Sequence, residues 1–384
     1  MLGPLARHGR GALAAAALVL VAACGGSDSD SESTASDSGT ATASASDSAS
    51  ASEPAASASD SASASEPASG EEEPATSDGS DETDTTEAPT TTAEPALFPR
   101  TVTDALGEVT IDEQPVRVVA LDRSLIDAAL ALEVDLVGYT TFMDPEGDLP
   151  EYFGTALDDH AADATWVGDL LNPNLEAIAA LDPDLILTAA VRHESIAPEL
   201  SAIAPTVMTD SAGGGWKDNI RVSAEAVGKE DLGDELIADF EQQAADLGAT
   251  IREVADDPTV SVVRFVDVVR LYQPISFSGT VLEDMGVRRP ESQQRTDDFI
   301  SVISEEEIDQ ADGDVVVYAV FDNEDVRAAV DQLLETGLWR TLDAVQRDAV
   351  YPVSDDAWMS GVGLFGARII LEDLATIFEV DPPG

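Results

Sequence analysis

A small set of arginines and aromatic residues could do binding chemistry in this chain, because positive charge is scarce in it. The sequence carries 19 Lys and Arg residues against 76 Asp and Glu residues. A guanidinium group binds anionic groups in a fixed planar geometry, and an aromatic ring offers a flat apolar face. The candidates for a ligand site are Arg123, Arg192, Trp216, Arg264, Arg270, Tyr272 and Trp358.

The positions of these candidates follow the predicted strands. Most of them are predicted at the carboxyl ends of strands or in the loops that follow, where open α/β sheets place ligands. Arg264 lies between Val263 and Phe265 in an otherwise apolar strand, which favours a cleft over a solvated surface. For each residue taken alone, a surface arginine or a core aromatic is the alternative.

The sequence lacks the usual residue sets for covalent or metal chemistry. Beyond the first 23 residues, the sequence contains two histidines, His160 and His193. We expect both to be surface or loop residues rather than ligands of Zn²⁺ or Mn²⁺. One cysteine and two histidines provide no nucleophilic Ser/His/Asp or Cys/His set. The glycines of Gly361–Gly366 match GxGxxG, but only one helix follows, so we interpret them as the turn into that helix. We predict no enzymatic activity.

The first 96 residues are predicted to lie outside the folded part. Two arginines precede an apolar run that is too short to span a membrane, which is typical of a signal peptide over residues 1–23. The run ends in VAAC, which resembles a bacterial lipobox with Cys24 as the lipid-attachment residue; a buried structural thiol is the alternative. Residues 24–96 are rich in Ser, Ala, Thr, Asp, Glu and Pro, which indicates a disordered acidic tether.

The charge of the chain limits its partners. A formal net charge of −57 argues against nucleic-acid binding, because phosphates would be repelled. An acidic surface with only two lysines, Lys217 and Lys229, also suggests a salt-tolerant organism.

From residue 97 onward, continuous apolar strands alternate with helical patterns. This alternation predicts parallel sheets covered by helices on both faces. Residues 97–229 are predicted to form an N-terminal lobe and residues 258–384 a C-terminal lobe. The longest helical pattern, over residues 230–257, is long enough to connect them. The predicted fold class is therefore α/β, with two Rossmann-like lobes joined by one long α-helix.

One helix–turn–strand pattern occurs twice, and we call it the repeated unit. Its first copy runs from Asn174 to Thr188 and its second from Ser304 to Tyr318. Each copy begins with a residue that can cap a helix, carries a glutamate two positions later, and ends in Asp followed by an apolar strand. The repetition indicates that both lobes use the same βα unit.

These motifs resemble those of bacterial siderophore-binding lipoproteins, the periplasmic binding proteins that serve ATP-binding-cassette importers of ferric siderophores, haem and cobalamin. The resemblance covers residues 97–378. The segments that carry it are RVVALD from Arg117, PNLEAI from Pro173, LDPDLIL from Leu181, SVVRF from Ser261, SGTVLEDMG from Ser278, and Trp358 with Gly361 and Gly363.

The resemblance implies a ferric siderophore held between the lobes by the candidate arginines and aromatics, without a resident cofactor or metal. It also implies that Glu176 and Glu306 dock on arginines of an importer permease. The alternative for each glutamate is a stabilising position in the first turn of a helix. For Glu306, a capping box between Ser304 and Glu307 is available, and Glu305 or Glu307 could dock instead.

The same resemblance implies a monomer outside the cytoplasm, attached to the cell membrane through its lipid. Haem or a corrinoid is the alternative cargo within this family, and haem would need an axial Tyr or His in the cleft. Outside the family, an α/β protein of the nitrogenase-component type would share the doubled fold, but it would need several cysteines for a metal cluster. The residues leave the chemical class of the siderophore open.

Overall fold

The computed structural model describes residues 97–142, 147–321, 323–335 and 337–383. These residues fall within one unit of the chain, Thr86–Gly384. The predicted signal peptide, Cys24 and the predicted tether lie outside the described residues. None of the described helices combines the length and the apolar composition needed to cross a bilayer.

The N-terminal lobe is built on a six-stranded sheet that follows a short antiparallel hairpin. The hairpin strands are β1 (Arg100–Asp104) and β2 (Gly107–Ile111). The sheet strands are β3 (Val118–Ala120), β4 (Leu136–Thr141), β5 (Thr165–Asp169), β6 (Asn172–Pro173), β7 (Leu185–Ala189) and β8 (Thr206–Thr209). Their spatial order is β6-β5-β4-β3-β7-β8, and all neighbours are parallel except β6, which is antiparallel to β5.

The described helices of this lobe flank the sheet. They are α1 (Arg123–Ala131), α2 (Thr155–His160), α3 (Leu175–Ala180), α4 (Ala190–His193), α5 (Ala197–Ser201) and α6 (Trp216–Val227). A 25-residue helix, α7 (Glu230–Val254), then leads to the second lobe. Gly248 lets α7 pack closely, because a Cβ at this position would overlap the carbonyl of Met285. The predicted connecting helix is thus confirmed.

The C-terminal lobe is built on a five-stranded sheet in the order β11-β10-β9-β12-β13. Its strands are β9 (Val260–Phe265), β10 (Val269–Tyr272), β11 (Ile300–Ile303), β12 (Val315–Val320) and β13 (Val350–Pro352), and its described helices are α8 (Phe277–Asp284), α9 (Glu324–Glu335), α10 (Asp343–Gln346) and α11 (Leu364–Ile377). Strands β9, β12 and β13 are parallel, whereas β10 is antiparallel to both β9 and β11. The prediction of a parallel sheet is therefore wrong for this half of the sheet.

A shared core joins the two lobes. It contains side chains from the N-terminal sheet, from α7 and from α11, such as Val118, Phe240 and Leu371. Each sheet also has a smaller core of its own on its other face, around Ile178 in the N-terminal lobe and around Trp339 in the C-terminal lobe. The lobes are therefore packed on a common layer of helices.

Both copies of the repeated unit occupy the same place in their sheets. Strand β7 lies beside β3, and β12 lies beside β9, the first sheet strand of each lobe. Asp184 accepts backbone N–H groups of Val116 and Arg117 just before β3. Asp314 likewise accepts the backbone N–H of Thr259 just before β9. The copies differ in the helix, because Glu305–Ala311 is a 3₁₀ segment and not an α-helix.

Candidate ligand-binding site

A pocket of about 630 Å³ lies at the carboxyl edges of both sheets, within the size range of small-molecule sites. Phe142 follows β4 of the N-terminal lobe, Val266 and Asp267 follow β9, and Phe321 follows β12. The described lining residues are Phe142, Arg264, Val266, Asp267, Arg270, Phe321, Asn323, Asp325, Val326 and Ala329. Both lobes therefore contribute to one pocket at the edge where α/β sheets bind ligands.

Arg264 forms the floor of this pocket and is firmly held there. Its Nε and Nη2 donate side-on to both carboxylate oxygens of Asp355, at 2.7 and 2.6 Å, and its Nη1 donates to the Tyr272 hydroxyl at 3.0 Å. Burial would lower the pKa of Arg264, but the hydrogen bonds with Asp355 and Tyr272 raise it overall. The guanidinium carbon also lies 5.5 Å from the centre of the Phe321 ring. Arg264 is thus a fixed, internally neutralised cation.

Arg270 lies opposite Arg264 across β9 and β10 and is held far less firmly. Its nearest recorded acid is Asp267, 3.7 Å from Nη2. That distance exceeds a normal hydrogen bond. Its Nε is buried and has no hydrogen-bond partner among the described residues. Arg264 and Arg270 are thus two sequence candidates that line the described pocket. The sequence analysis did not identify Phe142, Phe321, Asn323 or Asp355 as candidates.

The remaining candidate arginines lie on the N-terminal lobe, outside the described lining of the pocket. Arg123 begins α1 after β3 and pairs at 3.2 Å with Asp356, the neighbour of Asp355. Arg192 follows β7 and pairs at 3.3 Å with Asp122, the buried N-cap of α1. Consecutive aspartates thus hold one arginine from each lobe, which ties Arg123 to the C-terminal lobe.

Three aromatic candidates are core residues, which corrects their expected exposure to ligand. Trp216 is 1% exposed and packs edge-on against Phe240 and Phe277. Trp358 is fully buried and donates its indole N–H to Asp373 at 2.8 Å. Tyr272 is buried beneath the pocket, where its hydroxyl accepts from Arg264. The sequence could not distinguish them from pocket aromatics, because the same ring types serve both environments.

His193 is buried, contrary to the expectation of a surface or loop position. Its Nε2 lies 2.7 Å from the Leu170 carbonyl and its Nδ1 lies 2.6 Å from the Thr188 hydroxyl. Because a carbonyl only accepts, Nε2 carries the proton. Burial lowers the pKa of His193, which is consistent with a neutral ring. His160 is partly exposed beside Asp135. No group of three His, Cys, Asp or Glu side chains within the described residues could hold a metal ion.

Glu176 and Glu306 are both exposed, and neither has a recorded partner within the described part of the chain. Asn174 caps α3 by accepting the Ala177 N–H. Glu307 is the glutamate that caps the second unit, since it accepts both the backbone N–H and the hydroxyl of Ser304. Glu306 is therefore not needed for the cap.

Each of these glutamates follows the carboxyl edge of its sheet. Asn172 and Pro173 pair with the end of β5, directly before α3. In the other lobe, Ile303 at the end of β11 lies opposite Val269, which lies opposite Phe265 at the end of β9. The residues after Pro173 and after Ile303 therefore start at the edges that line the pocket.

A second buried carboxylate fixes the C-terminal helix onto the N-terminal lobe. Asp127 of α1 accepts the backbone N–H of Leu364 at 2.6 Å and that of Phe365 at 3.2 Å. Gly363, the N-cap of α11, allows this approach, because a Cβ there would overlap the Asp127 carboxyl. Gly361 and Gly363 thus lie in the turn into α11, as predicted, whereas Gly366 is the third residue of the helix itself.

Asp127 should make the protein less stable as the pH rises from about 5 to 8. Burial raises the pKa of this carboxyl to about 8, and the backbone hydrogen bonds lower it only in part. The pKa of Asp127 in the folded state exceeds its unfolded-state value near 4. The contribution of Asp127 to stability is therefore complete below pH 4 and is lost as the pH rises through the folded-state pKa. We expect the unfolding free energy of the wild type relative to Asp127→Asn to fall by up to about 4 kcal/mol over this range.

Urea unfolding of both proteins at a series of pH values measures this difference. Asp218→Asn, at an exposed aspartate on α6, is the matched control and should show no such trend. A difference that stays constant or grows with pH would mean that the helix N-terminus holds Asp127 ionised.

Comparison with known proteins identifies the family of this chain. The family model described as periplasmic binding protein matches residues 118–357. The chain is 37% identical over 290 residues to the probable siderophore-binding lipoprotein YfiY of Bacillus subtilis (strain 168), covering 73% of this chain and 87% of that protein. It is 28% identical over 289 residues to the Fe(3+) dicitrate-binding periplasmic protein FecB of Escherichia coli (strain K12), covering 74% of this chain and 92% of that one.

A solved structure agrees with this assignment. Staphylococcus aureus SirA complexed with staphyloferrin B superposes with a TM-score of 0.66 at 26% identity, covering 73% of this chain and 99% of that one. The region that the family model matches, residues 118–357, includes both lobe sheets, the connecting helix and the pocket residues Arg264 and Arg270. With its two α/β lobes, its single long connecting helix and a pocket at both carboxyl edges, this chain belongs to the periplasmic binding protein family.

Proposed function

We propose that this protein is an extracytoplasmic solute-binding protein that captures a ferric siderophore between its lobes and delivers it to an ABC importer. The observation that carries the proposal is the pocket of about 630 Å³, which combines two arginines with aromatic rings from both lobes. The names of relatives that bind siderophores or ferric citrate support the same ligand class. The function is binding and release, and no covalent bond changes.

The pocket chemistry favours an iron chelate over haem. A chelate presents oxygen atoms around its metal, and these accept hydrogen bonds from guanidinium groups. Haem would need an axial ligand, yet the described lining residues include no His, Tyr, Cys or Met. The hydroxyl of Tyr272 accepts a hydrogen bond from Arg264, one of the lining residues.

Native mass spectrometry of the purified protein with a panel of ferric siderophores, haem, a corrinoid and free Fe³⁺ tests this function. We expect one ferric siderophore per protein with a dissociation constant of roughly micromolar or lower. Free Fe³⁺ should not bind at the pocket, because its described lining residues include two carboxylates, Asp267 and Asp325, but no histidine and no group of three metal-ligating side chains. Binding of haem alone, of free iron alone, or of no ferric chelate would overturn the proposal.

The location and partners of the protein are part of the same proposal. The VAAC sequence supports acylation of Cys24, and the acidic segment up to residue 96 would separate the lobes from the membrane. The exposed carboxylates Glu176 and Glu306 would dock on permease arginines. The protein would act as a monomer, presenting the pocket edge of both lobes to the permease.

A further inference from the structure

The two arginines that face each other in the pocket differ in how far their charges are neutralised. Arg264 and Arg270 are cross-strand partners, so both guanidinium groups lie on the same face of the sheet. The side chains of Arg264 and Asp355 are 11% and 13% exposed and form a charge-neutral pair. Asp267, which lies beside Arg270, is 84% exposed and therefore largely screened by solvent. Among the described residues, Arg270 is thus the one guanidinium of the pocket lining that no buried carboxylate neutralises.

The edge of Arg270 that carries Nε and Nη2 has the geometry to bind a carboxylate. Its unpartnered Nε and its loosely engaged Nη2 lie on the same edge of the guanidinium. Arg264 uses this same edge to bind Asp355 side-on. A buried N–H without an acceptor costs free energy, and a charge-assisted hydrogen bond would recover it. A ligand carboxylate would therefore bind Arg270 in the way that Asp355 binds Arg264.

The rest of the lining limits the charge of the ligand. Half of the described lining residues are apolar, namely Phe142, Val266, Phe321, Val326 and Ala329. Among the described lining residues, the only cation besides Arg270 is Arg264, which is already paired with Asp355, so a strongly negative complex such as a ferric triscatecholate would lack counter-charges. A neutral ferric trihydroxamate would leave Arg270 without a counter-charge.

We propose that the cargo is a ferric chelate of low negative charge that presents one carboxylate to Arg270, and that Arg270 determines this specificity. The inference rests on the proposed function and names the ligand class of the same pocket. The two arginines therefore have different roles. Arg264 is held in the pocket lining by Asp355, and Arg270 selects a ligand that carries a carboxylate.

A matched pair of ligands tests the inference by isothermal titration calorimetry. The pair is a ferric trihydroxamate with one pendant carboxylate and its methyl ester, which differ in that single charge. We expect the wild type to bind the carboxylate form roughly 10- to 100-fold more tightly. In Arg270→Gln, the affinities for the acid and the ester should become equal. Arg270→Lys keeps the positive charge but lacks the two parallel N–H donors of a guanidinium group, so it should retain part of the preference for the acid.

Arg295→Gln is the matched control, because Arg295 is exposed, pairs with Asp297 and lies outside the described lining of the pocket. This variant should keep the wild-type ratio. Equal binding of the acid and the ester by the wild type, or an unchanged ratio in Arg270→Gln, would overturn the inference while leaving the proposed function intact. Failure to bind any ferric chelate, including the full siderophore panel, would instead overturn the proposed function.

Discussion

Replacing Arg264 with methionine is expected to destabilise the protein by about 3–5 kcal/mol and to weaken ligand binding. Arg264 makes two short hydrogen bonds to Asp355 in a nearly buried pair. Burial already raises the pKa of the Asp355 carboxyl, and the bonds from Arg264 oppose this rise. Without Arg264, the carboxylate would be buried and unpaired, which costs more than the lost attraction. Urea unfolding of the ligand-free protein measures the effect.

Two further variants separate the ion pair from general disturbance of the core. Arg264→Met combined with Asp355→Leu should recover most of the lost stability, because an apolar pair of similar volume can replace a buried ion pair. It should not recover ligand binding, since the cationic floor beside Phe321 is lost. Arg221→Met, at a solvent-exposed pair with Asp218 on α6, should change stability by less than about 0.5 kcal/mol. Equal losses in the single and double variants would show that packing, and not the unpaired carboxylate, explains the defect.

Hydrogen bonds from Lys217 and Trp216 at the start of α6 link the two lobes. Lys217 at the start of α6 donates to Glu241 of α7 and to Asp284 of α8, both at 2.7 Å. Beside it, the buried indole of Trp216 donates to Thr280 of α8 at 3.3 Å. The start of α6, in the N-terminal lobe, is thus bonded both to the connecting helix α7 and to α8 of the C-terminal lobe. Together with the Asp127 contact to α11, these bonds favour a small closing motion on ligand binding.

The spacing of apolar residues along the sequence was sufficient to predict the long connecting helix. The connecting helix α7 begins at the predicted residue 230 and ends three residues before the predicted limit at residue 257. The direction of β10 was not predictable in this way. An apolar strand buried on both faces reads the same in either direction, and only its pairing with β9 and β11 makes it antiparallel.

Two of the four candidate arginines, Arg264 and Arg270, line the described pocket, whereas the three aromatic candidates are buried in the core. Arg264 stood out because a charged side chain inside an apolar strand must be compensated. Trp216 gave no such signal, because its burial depends on Phe240 and Phe277, which come from α7 and from the other lobe. His193 is also satisfied by tertiary contacts, one of them to Leu170, 23 residues away. Such contacts follow from topology, which residue spacing alone does not determine.

Replacing both Glu176 and Glu306 with alanine is expected to reduce siderophore uptake in cells at least tenfold while the affinity of the purified protein for its ligand stays unchanged. Both glutamates are exposed, and neither has a recorded partner within the described residues, so their removal should cost the fold little. Truncating one partner of a buried, hydrogen-bonded charge pair in a protein–protein interface typically costs about 2–5 kcal/mol. Uptake of iron-labelled siderophore by a strain that lacks the wild-type protein measures the effect, and ligand titration provides the binding readout.

The position of the two glutamates explains why losing both should have a larger effect than losing either one. Each follows the carboxyl edge of its sheet, the edge that also lines the pocket, so docking through both lobes would place the permease over the ligand. Glu305→Ala, at an exposed neighbour of Glu306, should leave uptake unchanged. Glu307→Ala should weaken the Ser304 cap by about 1 kcal/mol without the same loss of uptake. Wild-type uptake by the double variant would assign both glutamates to local helix stabilisation and leave docking to other surfaces.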